Sequence, residues 1–393
     1  MNHALLQPDV QKWLWDHADA DVHRIALSSS PFQQISAAEL ATQLTARRNS
    51  RKKLPTWYAT PGIIFPTLLS IEQASSETTA RYKAGLVTGK SVADLTGGFG
   101  VDSLYFSRRA QRVLHCEMNS PLAEVAAHNA RLLGSENIRF AHADGLDLLA
   151  AEKLSFDTIY LDPVRRGLTG KVFLFADCQP NVIEHLDFLM AHCRRLIIKS
   201  SPLIDLTAGI RELGGVTEIH IVSVRNECRE LLWVIDENRS ATPEIIAASL
   251  NSSDKCYRVR PGAEMVEPEY AAMGHDGFLF EPDAAVMKSG AFNQVAQDFG
   301  LKKIAPQSHL YTGSQHVPEF PGRVFTIREV TDWPIFKKQK GTAGNVIVRN
   351  FPLKAAELSK KYNRGAADTD FLIFTTNLTG KQIVISAEIL QYY

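Results

Sequence analysis

The sequence predicts an α/β protein built on a parallel β-sheet. Between residues 91 and 238, short apolar stretches alternate with amphipathic stretches whose apolar residues recur at helical spacing. Such an alternation is typical of parallel strands connected by helices that cover both faces of the sheet. A glycine-rich turn, Asp94-Leu-Thr-Gly-Gly-Phe-Gly100, follows the first apolar stretch. Because ligands of such folds bind at the carboxyl ends of the strands, this turn indicates where a site would lie.

Seven strands and two prominent helices are expected in this region. The strands are predicted at 91–95, 112–116, 138–141, 156–161, 195–199, 219–224 and 231–235. The helices are predicted at 122–133, directly before Gly134, and at 182–193. The last two strands are expected to form a hairpin.

Four regions are expected along the chain, whose 393 residues predict two or three domains. Residues 1–85 have helical periodicity, and residues 86–238 carry the predicted sheet. Residues 239–321 begin with a polar, turn-rich linker, and residues 322–393 form a final small unit of strands and one helix.

The composition, with 45% hydrophobic and 22% charged residues, is typical of a globular protein with a sizeable core. No apolar stretch approaches the roughly 18 residues of a membrane-spanning helix, and the first residues do not resemble a signal peptide, so a cytoplasmic location is expected. Five scattered cysteines without a C-x-x-C pair are expected to be reduced thiols. The formal net charge is zero, so any argument for nucleic-acid binding depends on local patches.

One such patch is the basic run Arg47-Arg-Asn-Ser-Arg-Lys-Lys53. It is either the solvated end of a helix or an edge that binds phosphate groups. The sequence leaves both interpretations open.

Four acidic residues fall at the carboxyl ends of four consecutive predicted strands. They are Asp94, Glu117, Asp144 and Asp162. Carboxylates grouped at one sheet edge repel one another unless a ligand offsets their charge. The pattern therefore predicts a ligand site at this edge.

Two classes of cofactor bind near a glycine turn of this kind. A nicotinamide or flavin nucleotide requires Gly-x-Gly-x-x-Gly and a phosphate at the helix N-terminus, whereas this chain has Ser103 at the third position and carboxylates beside the phosphate position. S-adenosylmethionine carries a sulfonium and an ammonium and has no phosphate. Asp94 is suited to its cationic end, and the amides near Gly98 to its carboxylate. Glu117 is suited to the ribose hydroxyls and Asp144 to the adenine amino group, so S-adenosylmethionine is the cofactor we expect.

Together these stretches resemble motifs I to IV of the class I (Rossmann-like) S-adenosylmethionine-dependent methyltransferases. The resemblance implies a seven-stranded sheet whose last strand runs antiparallel. The chain departs from the family at Thr96, where glycine is frequent. The residues expected to bind the cofactor are Asp94, Thr96, Gly98, Gly100, Glu117, Met118, Asp144, Gly145 and Asp162.

The stretch Asp162-Pro-Val-Arg-Arg-Gly167 is expected to face the methyl acceptor. Amine-methylating members of the superfamily have Asp/Asn-Pro-Pro and an aromatic residue here, and this chain departs from that pattern at Val164 and Arg165. The stretch also resembles the Asp-Pro-Pro-Arg-x-Gly of uracil C5 methyltransferases, which use a cysteine nucleophile after the fifth strand. The fifth predicted strand continues into Ile198-Lys-Ser-Ser-Pro202 without a cysteine, which argues against that covalent route. Cys178, in the loop after the fourth strand, is either an alternative thiol or an ordinary core or loop residue.

Asp162, Pro163 and Arg165 are therefore the expected catalytic residues, with Asp162 orienting the acceptor toward the methyl group. Arg165 and Arg166 are either a clamp for a substrate phosphate or ordinary surface charges.

The C-terminal regions resemble the ferredoxin-like and THUMP-like extension of a family of bacterial class I methyltransferases. The stretches that carry this resemblance are Phe280-Glu-Pro-Asp283, Lys288-Ser-Gly290, Val348-Arg-Asn-Phe-Pro-Leu353 and Phe371-Leu-Ile-Phe-Thr-Thr376. The resemblance assigns 239–321 to a linker and ferredoxin-like domain and 322–393 to a THUMP-like domain. THUMP domains bind structured RNA, chiefly tRNA.

Basic residues of the last region are the expected RNA contacts. They are Lys337, Lys338 and Lys340, and Phe336 and Phe351 lie beside them in the sequence. The alternative is that the aromatic residues belong to the core and the lysines are ordinary surface residues.

The expected function is S-adenosylmethionine-dependent methylation of structured RNA, on a tRNA or rRNA base. The alternatives are a methyltransferase for a small molecule or protein, and a non-catalytic protein that binds the cofactor. No spacing of His, Cys and acidic residues resembles a metal site, so no metal is expected. The sequence leaves the oligomeric state open.

Overall fold

The computed structural model describes residues 2–165, 175–240, 242–251, 253–260, 267–271, 277–339, 343–363 and 368–392. The chain forms two compact units. The first consists of Met1–Thr217 and Trp233–Ala241, and the second of Glu218–Leu232 and Thr242–Tyr393.

The N-terminal part of the first unit is helical. Its helices are α1 (Pro8–Asp16), α2 (Val22–Ala26), α3 (Ala37–Ser50), α4 (Pro55–Ala59), α5 (Leu68–Gln73) and α6 (Glu77–Leu86). A capping box between Ser36 and Glu39 begins α3, because each side chain accepts a hydrogen bond from the other's backbone N–H.

The basic run at the end of α3 stabilises this helical region. The guanidinium of Arg48 donates to the carbonyl of Ala18 at 2.6 Å, and Lys53 Nζ donates to the carbonyl of Glu72 at 2.7 Å. Arg47 stacks on the ring of Trp15 at 3.9 Å. These contacts give three of the five basic side chains structural roles that neither sequence interpretation anticipated.

The sheet of the first unit has the strand order β9–β7–β4–β1–β2–β3, in which the β1–β2, β2–β3, β1–β4 and β4–β7 pairs are parallel. Its strands are β1 (Ser91–Asp94), β2 (Arg112–Cys116), β3 (Ile138–Ala141), β4 (Phe156–Leu161), β7 (Cys193–Ser200) and β9 (Glu227–Asp236). Two short strands, β5 (Val164–Arg165) and β6 (Cys178–Gln179), pair in a separate two-stranded sheet, and β8 (Glu218–Val224) lies in the second unit. The connecting helices are α7 (Val101–Ser107), α8 (Ser120–Leu132), α9 (Gly145–Glu152), α10 (Val182–Ala191) and α11 (Leu206–Leu213). The predicted fold class and all seven predicted strands are confirmed.

The hairpin of β8 and β9 is also confirmed. Its two-residue turn consists of Arg225 and Asn226, whose φ angles are 53° and 60°. This conformation fits the twist of antiparallel strands. The division between the two units falls within β9, after Leu232.

The second unit contains strands that the sequence did not predict. Two strands, β10 (Glu244–Leu250) and β11 (Lys255–Val259), follow the hairpin, and β10 pairs with β8 in parallel. Residues 244–250 and 255–259 therefore extend the sheet next to β8, although the residues that flank these two strands are polar.

A separate seven-stranded sheet forms the rest of the second unit, in the order β13–β14–β12–β15–β18–β17–β16. Its strands are β12 (Phe278–Pro282), β13 (Lys302–Lys303), β14 (Tyr311–Gly313), β15 (Gly322–Asp332), β16 (Asn345–Val348), β17 (Asp370–Thr376) and β18 (Gln382–Gln391). Its helices are α12 (Ala284–Ser289), α13 (Phe292–Asp298), α14 (Trp333–Phe336) and α15 (Ala355–Tyr362).

Aromatic side chains fill one face of this second sheet. Phe336 is 1% exposed and lies edge-on to Phe374, and Phe351 packs against Trp333. Phe336 is therefore a core residue and Phe351 is a partly buried residue packed against the core, which supports the structural alternative for these two side chains.

Candidate active site

The candidate site begins at the glycine turn that follows β1. The N–H of Gly97 donates to the carbonyl of Cys116 at 2.8 Å, and a Cβ at this position would lie 2.1 Å from Cε1 of His115. Gly98 and Gly100 have φ angles of 54° and 82°, and Gly100 caps the start of α7. The turn thus brings the backbone of β1 against β2 without a side chain between them.

Asp94 lies at the end of β1 and is 1% exposed. Its Oδ1 accepts from the N–H of Thr96 at 3.2 Å, and its Oδ2 accepts from Oγ of Ser103 at 2.6 Å. Burial raises the pKa of Asp94 to about 7, although the Ser103 hydrogen bond opposes this shift. A cationic ligand would stabilise the ionised form of this buried carboxylate.

His115 lies on β2, opposite Asp94 in the register of the two strands. Its Nδ1 is 2.9 Å from Oγ of Ser103, and burial lowers the pKa of His115 to about 3. The imidazole is therefore neutral and adds no positive charge near Asp94. Asp94, Ser103 and His115 form a hydrogen-bonded row that fixes the orientation of the carboxylate.

Glu117 follows β2 on the same edge. Its Oε2 accepts from the N–H of Gly98 at 3.0 Å, and its Oε1 accepts from the N–H of Asn119 at 2.6 Å. The carboxylate thus stands beside the glycine turn. Met118, the next residue, is 62% exposed and offers an apolar surface at this point.

Asp144 follows β3 and caps the N-terminus of α9. Its Oδ1 accepts from the N–H groups of Leu146 at 2.8 Å and Asp147 at 3.3 Å. A Cβ at Gly145 would lie 2.9 Å from the carbonyl oxygen of Leu95, so glycine allows α9 to begin close to the turn.

Asp162 follows β4, and two residues hold it, one in the glycine turn after β1 and one on β7. Its N–H donates to Oγ1 of Thr96 at 2.7 Å, and its Oδ2 is in direct contact with Nζ of Lys199 at the end of β7. The side chain of Asp162 is 34% exposed and that of Lys199 is 15% exposed. The structure therefore brings together the strand-end positions that the sequence predicted and adds Lys199.

Sequence reasoning missed Lys199 as a site residue, because at the end of β7 only the absence of a cysteine bears on the known covalent route. The signal was available, since β7 pairs with β4 and both strands end at the same edge. A buried ion pair was also unexpected, because the sequence suggested either a cofactor entrance or a solvated helix face at Lys83. Lys83 is fully buried, and its Nζ is 2.9 Å from Oδ1 of Asp102 and 2.6 Å from Oγ of Ser75.

The remaining predicted residues are described only in part. Pro163 is partly buried, and the backbone of Arg165 pairs with Cys178 of β6. Arg166 and Lys340 lie outside the described residues. Lys337 and Lys338 are exposed in the second unit, where Nζ of Lys337 lies 5.3 Å from the ring of Trp333.

Within the ranges that the structure describes, no group of three His, Cys, Asp or Glu side chains could hold a metal ion. Among the same residues, every helix is too short or too polar to cross a bilayer.

Two domain families match the C-terminal part of the chain. Residues 278–321 match a ferredoxin-like domain, and residues 322–388 match a THUMP domain-like family.

Relatives are found among solved structures and protein sequences. A crystal structure of a candidate methyltransferase from Porphyromonas gingivalis W83 is 30% identical, with a TM-score of 0.84 over 99% of this chain and 98% of that chain. An uncharacterized S-adenosylmethionine-dependent methyltransferase of Mycobacterium tuberculosis is 26% identical over 64% of this chain and 67% of its own length. A 23S rRNA (uracil(1939)-C(5))-methyltransferase of Alkalilimnicola ehrlichii is 36% identical over 25% of this chain and 23% of its own length.

The first of these matches extends over both units and the second over nearly two thirds of the chain. The chain belongs to the family of class I S-adenosylmethionine-dependent methyltransferases with C-terminal ferredoxin-like and THUMP-like domains.

Proposed function

We propose that this protein transfers a methyl group from S-adenosylmethionine to structured RNA, either tRNA or rRNA. The observation that carries the RNA assignment is the THUMP-like match at residues 322–388, in the same chain as the carboxylate-lined site. Shorter matches to proteins named RNA methyltransferases, from Mycoplasma mobile and Alkalilimnicola ehrlichii, support it.

Each strand-end residue has a proposed part in binding the cofactor. Asp94 faces the cationic end, and backbone amides near Gly98 face the carboxylate. The N–H of Gly98 itself donates to Glu117 and that of Gly100 to the carbonyl of Gly97, so the amide used is a neighbouring one. Glu117 accepts from the ribose hydroxyls, beside the exposed thioether of Met118. Asp144, through the oxygen that does not cap α9, accepts from the adenine amino group.

The cofactor supplies an electrophilic methyl group, so the protein contributes mainly position and charge. Thr96 and Lys199 hold Asp162 from two sides at the strand end where the acceptor would bind. Pro163 restricts the backbone directly after this carboxylate. Arg165 and Arg166 would hold a substrate phosphate, and Lys337, Lys338 and Lys340 would contact the RNA backbone.

The test is transfer of a tritiated methyl group into total RNA from a strain of the source organism that lacks this gene. We expect label in RNA and none with Asp162→Ala. The double substitution Lys337→Glu/Lys338→Glu should weaken RNA binding and reduce its salt dependence, while leaving cofactor affinity unchanged. Label in protein or in metabolites but not in RNA would overturn the proposal and support the small-molecule or protein alternative.

A further inference from the structure

The pairing of Asp162 with Lys199 bears on the chemical class of the methyl acceptor. Both side chains lie at the carboxyl edge of the sheet, on the neighbouring strands β4 and β7. One carboxylate oxygen of Asp162, Oδ2, is engaged by the ammonium. Among the described residues, Oδ1 has no hydrogen-bond partner in the protein. The edge therefore presents a hydrogen-bond acceptor and a cationic donor side by side.

A hydroxyl group is complementary to this arrangement. It has one O–H donor and two lone pairs on the same oxygen. The O–H can donate to Asp162 while one lone pair accepts from Lys199, and the second lone pair stays available to attack the methyl group. All three interactions can occur at once at a single oxygen atom.

An amino acceptor is less suited to the pair. Its nitrogen has one lone pair, and that lone pair must be directed at the methyl group. An ammonium at hydrogen-bond distance competes for it. Amine-methylating enzymes present two hydrogen-bond acceptors to the amine. Here one oxygen of the Asp162 carboxylate already accepts from Lys199, so that pattern does not apply.

A carbon acceptor requires a nucleophile that is absent from the end of β7. Methylation at a pyrimidine carbon proceeds through a thiolate, and the end of β7 carries serine instead of cysteine. Oγ of Ser200 accepts a hydrogen bond from Nε1 of Trp233 at 2.8 Å, which holds it in the packing of the sheet. Cys193 begins β7 at the opposite end of the strand and is buried. Another cysteine, Cys178 of β6, pairs through its backbone with Arg165, and base-methylated products in the experiment below would point to it.

The charges around the pair are compatible with a cationic cofactor. Asp94, Asp102 and Asp162 supply three carboxylates, against the two ammonium groups of Lys83 and Lys199. Burial alone would raise the pKa of Asp102, but Lys83 and Lys199 outweigh it, so the pKa is lowered and the group is ionised. With Asp94 ionised, a net negative charge remains to attract a sulfonium despite the presence of Lys199.

We propose that the methyl acceptor is a hydroxyl oxygen, namely a ribose 2′-hydroxyl of RNA, with Lys199 as a catalytic residue beside Asp162. This inference rests on the proposed function. In RNA the 2′-hydroxyl is the hydroxyl available along the chain and is both a donor and an acceptor.

The atoms and charges balance in this step. A lone pair of the hydroxyl oxygen forms the new O–CH3 bond, and the S–CH3 bond breaks with its electron pair passing to sulfur. The hydroxyl proton passes to Oδ1 of Asp162. Lys199 keeps its protons and stabilises the negative charge that develops on the oxygen. The products are a methyl ether, a neutral thioether and a protonated carboxyl group, which then loses its proton to water.

The experiment identifies the labelled nucleoside. The full-length protein is incubated with tritiated S-adenosylmethionine and RNA from the deletion strain, and the product is digested with alkali and, separately, to nucleosides for mass spectrometry. Label in alkali-resistant dinucleotides and in 2′-O-methyl nucleosides supports the inference. Label in base-methylated nucleosides overturns it but leaves the proposed function intact. An absence of label in RNA overturns both.

Variants of Lys199 test its role in the reaction. Lys199→Met should lower kcat by about 10²-fold with little change in KM for RNA, because one positioned group in general acid–base or electrostatic catalysis contributes about this much. Lys199→Arg should restore part of the rate because it keeps N–H donors.

The matched control is Lys90→Met, at an exposed lysine in the same unit, which should behave as the wild type. Calorimetry should show that Lys199→Met binds S-adenosylmethionine at least as tightly as the wild-type protein does, which confirms that the variant is folded. A wild-type kcat for Lys199→Met would overturn the role of Lys199.

Discussion

The N–H of Asp162 donates to the side chain of Thr96 across 66 residues of sequence, at a distance of 2.7 Å. Thr96 was the position at which the glycine turn departs from the family pattern. Its hydroxyl links the glycine turn, which we propose binds the cofactor, to the first residue of the stretch that we propose faces the acceptor. Threonine instead of glycine at position 96 therefore supplies a hydrogen-bond acceptor for the N–H that follows β4.

Replacing Thr96 tests this link. Thr96→Val should leave the N–H of Asp162 unpaired, and a lost hydrogen bond of this kind costs about 1–3 kcal/mol. We expect a lower kcat and weaker cofactor binding, because both sites share the turn. Thr96→Ser keeps the hydroxyl and should stay close to the wild type in single-turnover assays. Equal activity of the valine and serine variants would contradict the proposed link.

The ionisation of Asp94 should make cofactor binding depend on pH. Its pKa is raised to about 7, from 3.8, chiefly by burial. A cationic ligand binds the ionised form, so affinity should rise as the pH increases toward about 7 and level off above it. Below that value the affinity should fall by about tenfold per pH unit. Calorimetry between pH 5.5 and pH 8.5 measures this, and Asp94→Asn should bind weakly with a flat profile.

The same shift predicts the pH dependence of stability in the cofactor-free protein. Between pH 4 and pH 7 the folded state binds more protons at Asp94 than the unfolded state does. The contribution of Asp94 to the free energy of unfolding should therefore decrease as the pH rises through this window. Saturating S-adenosylmethionine should reduce the trend, because its cation stabilises the ionised form. Urea unfolding of the wild type and of Asp94→Asn isolates the contribution.

Gly97 should tolerate no side chain. A Cβ would overlap the buried ring of His115, which has no exposed direction in which to move. We expect Gly97→Ala to destabilise the protein by about 1–3 kcal/mol, as overpacked cores do, and to abolish cofactor binding. The control is Gly85→Ala in α6, where nothing lies within 4 Å of the added methyl, and which should stabilise the helix by about 0.5–1 kcal/mol. Thermal unfolding compares the two, and similar shifts would refute the steric argument.

The buried pair of Lys83 and Asp102 should show strong energetic coupling. Both side chains are almost inaccessible, and Oδ2 of Asp102 also accepts from the hydroxyl groups of Ser75 and Tyr160. Lys83→Met alone leaves a buried carboxylate without its cation, which costs about 3–5 kcal/mol. The double variant Lys83→Met/Asp102→Asn should lose less than the sum of the single variants. A double-mutant cycle by urea denaturation measures the coupling, and simple additivity would contradict it.

Local patterns determined most of the fold of the first unit. Alternating apolar stretches, a glycine turn and acidic strand ends are readable from neighbouring residues, so the seven strands and the positions of Asp94, Glu117, Asp144 and Asp162 were predictable. Strands β10 and β11 were missed because they are flanked by polar, turn-rich residues and their pairing with β8 is not a local property.

What the sequence determined by itself is the kind of cofactor, because carboxylates at strand ends and a turn unsuited to phosphate are local chemistry. Only the tertiary structure decided that Lys199 meets Asp162, that Thr96 accepts from its backbone, and that Phe336 belongs to the core rather than to a binding surface. These relationships depend on which strands become neighbours and which faces are covered. Strand order and packing join residues far apart in the chain, and here they place a lysine beside the carboxylate that ends β4.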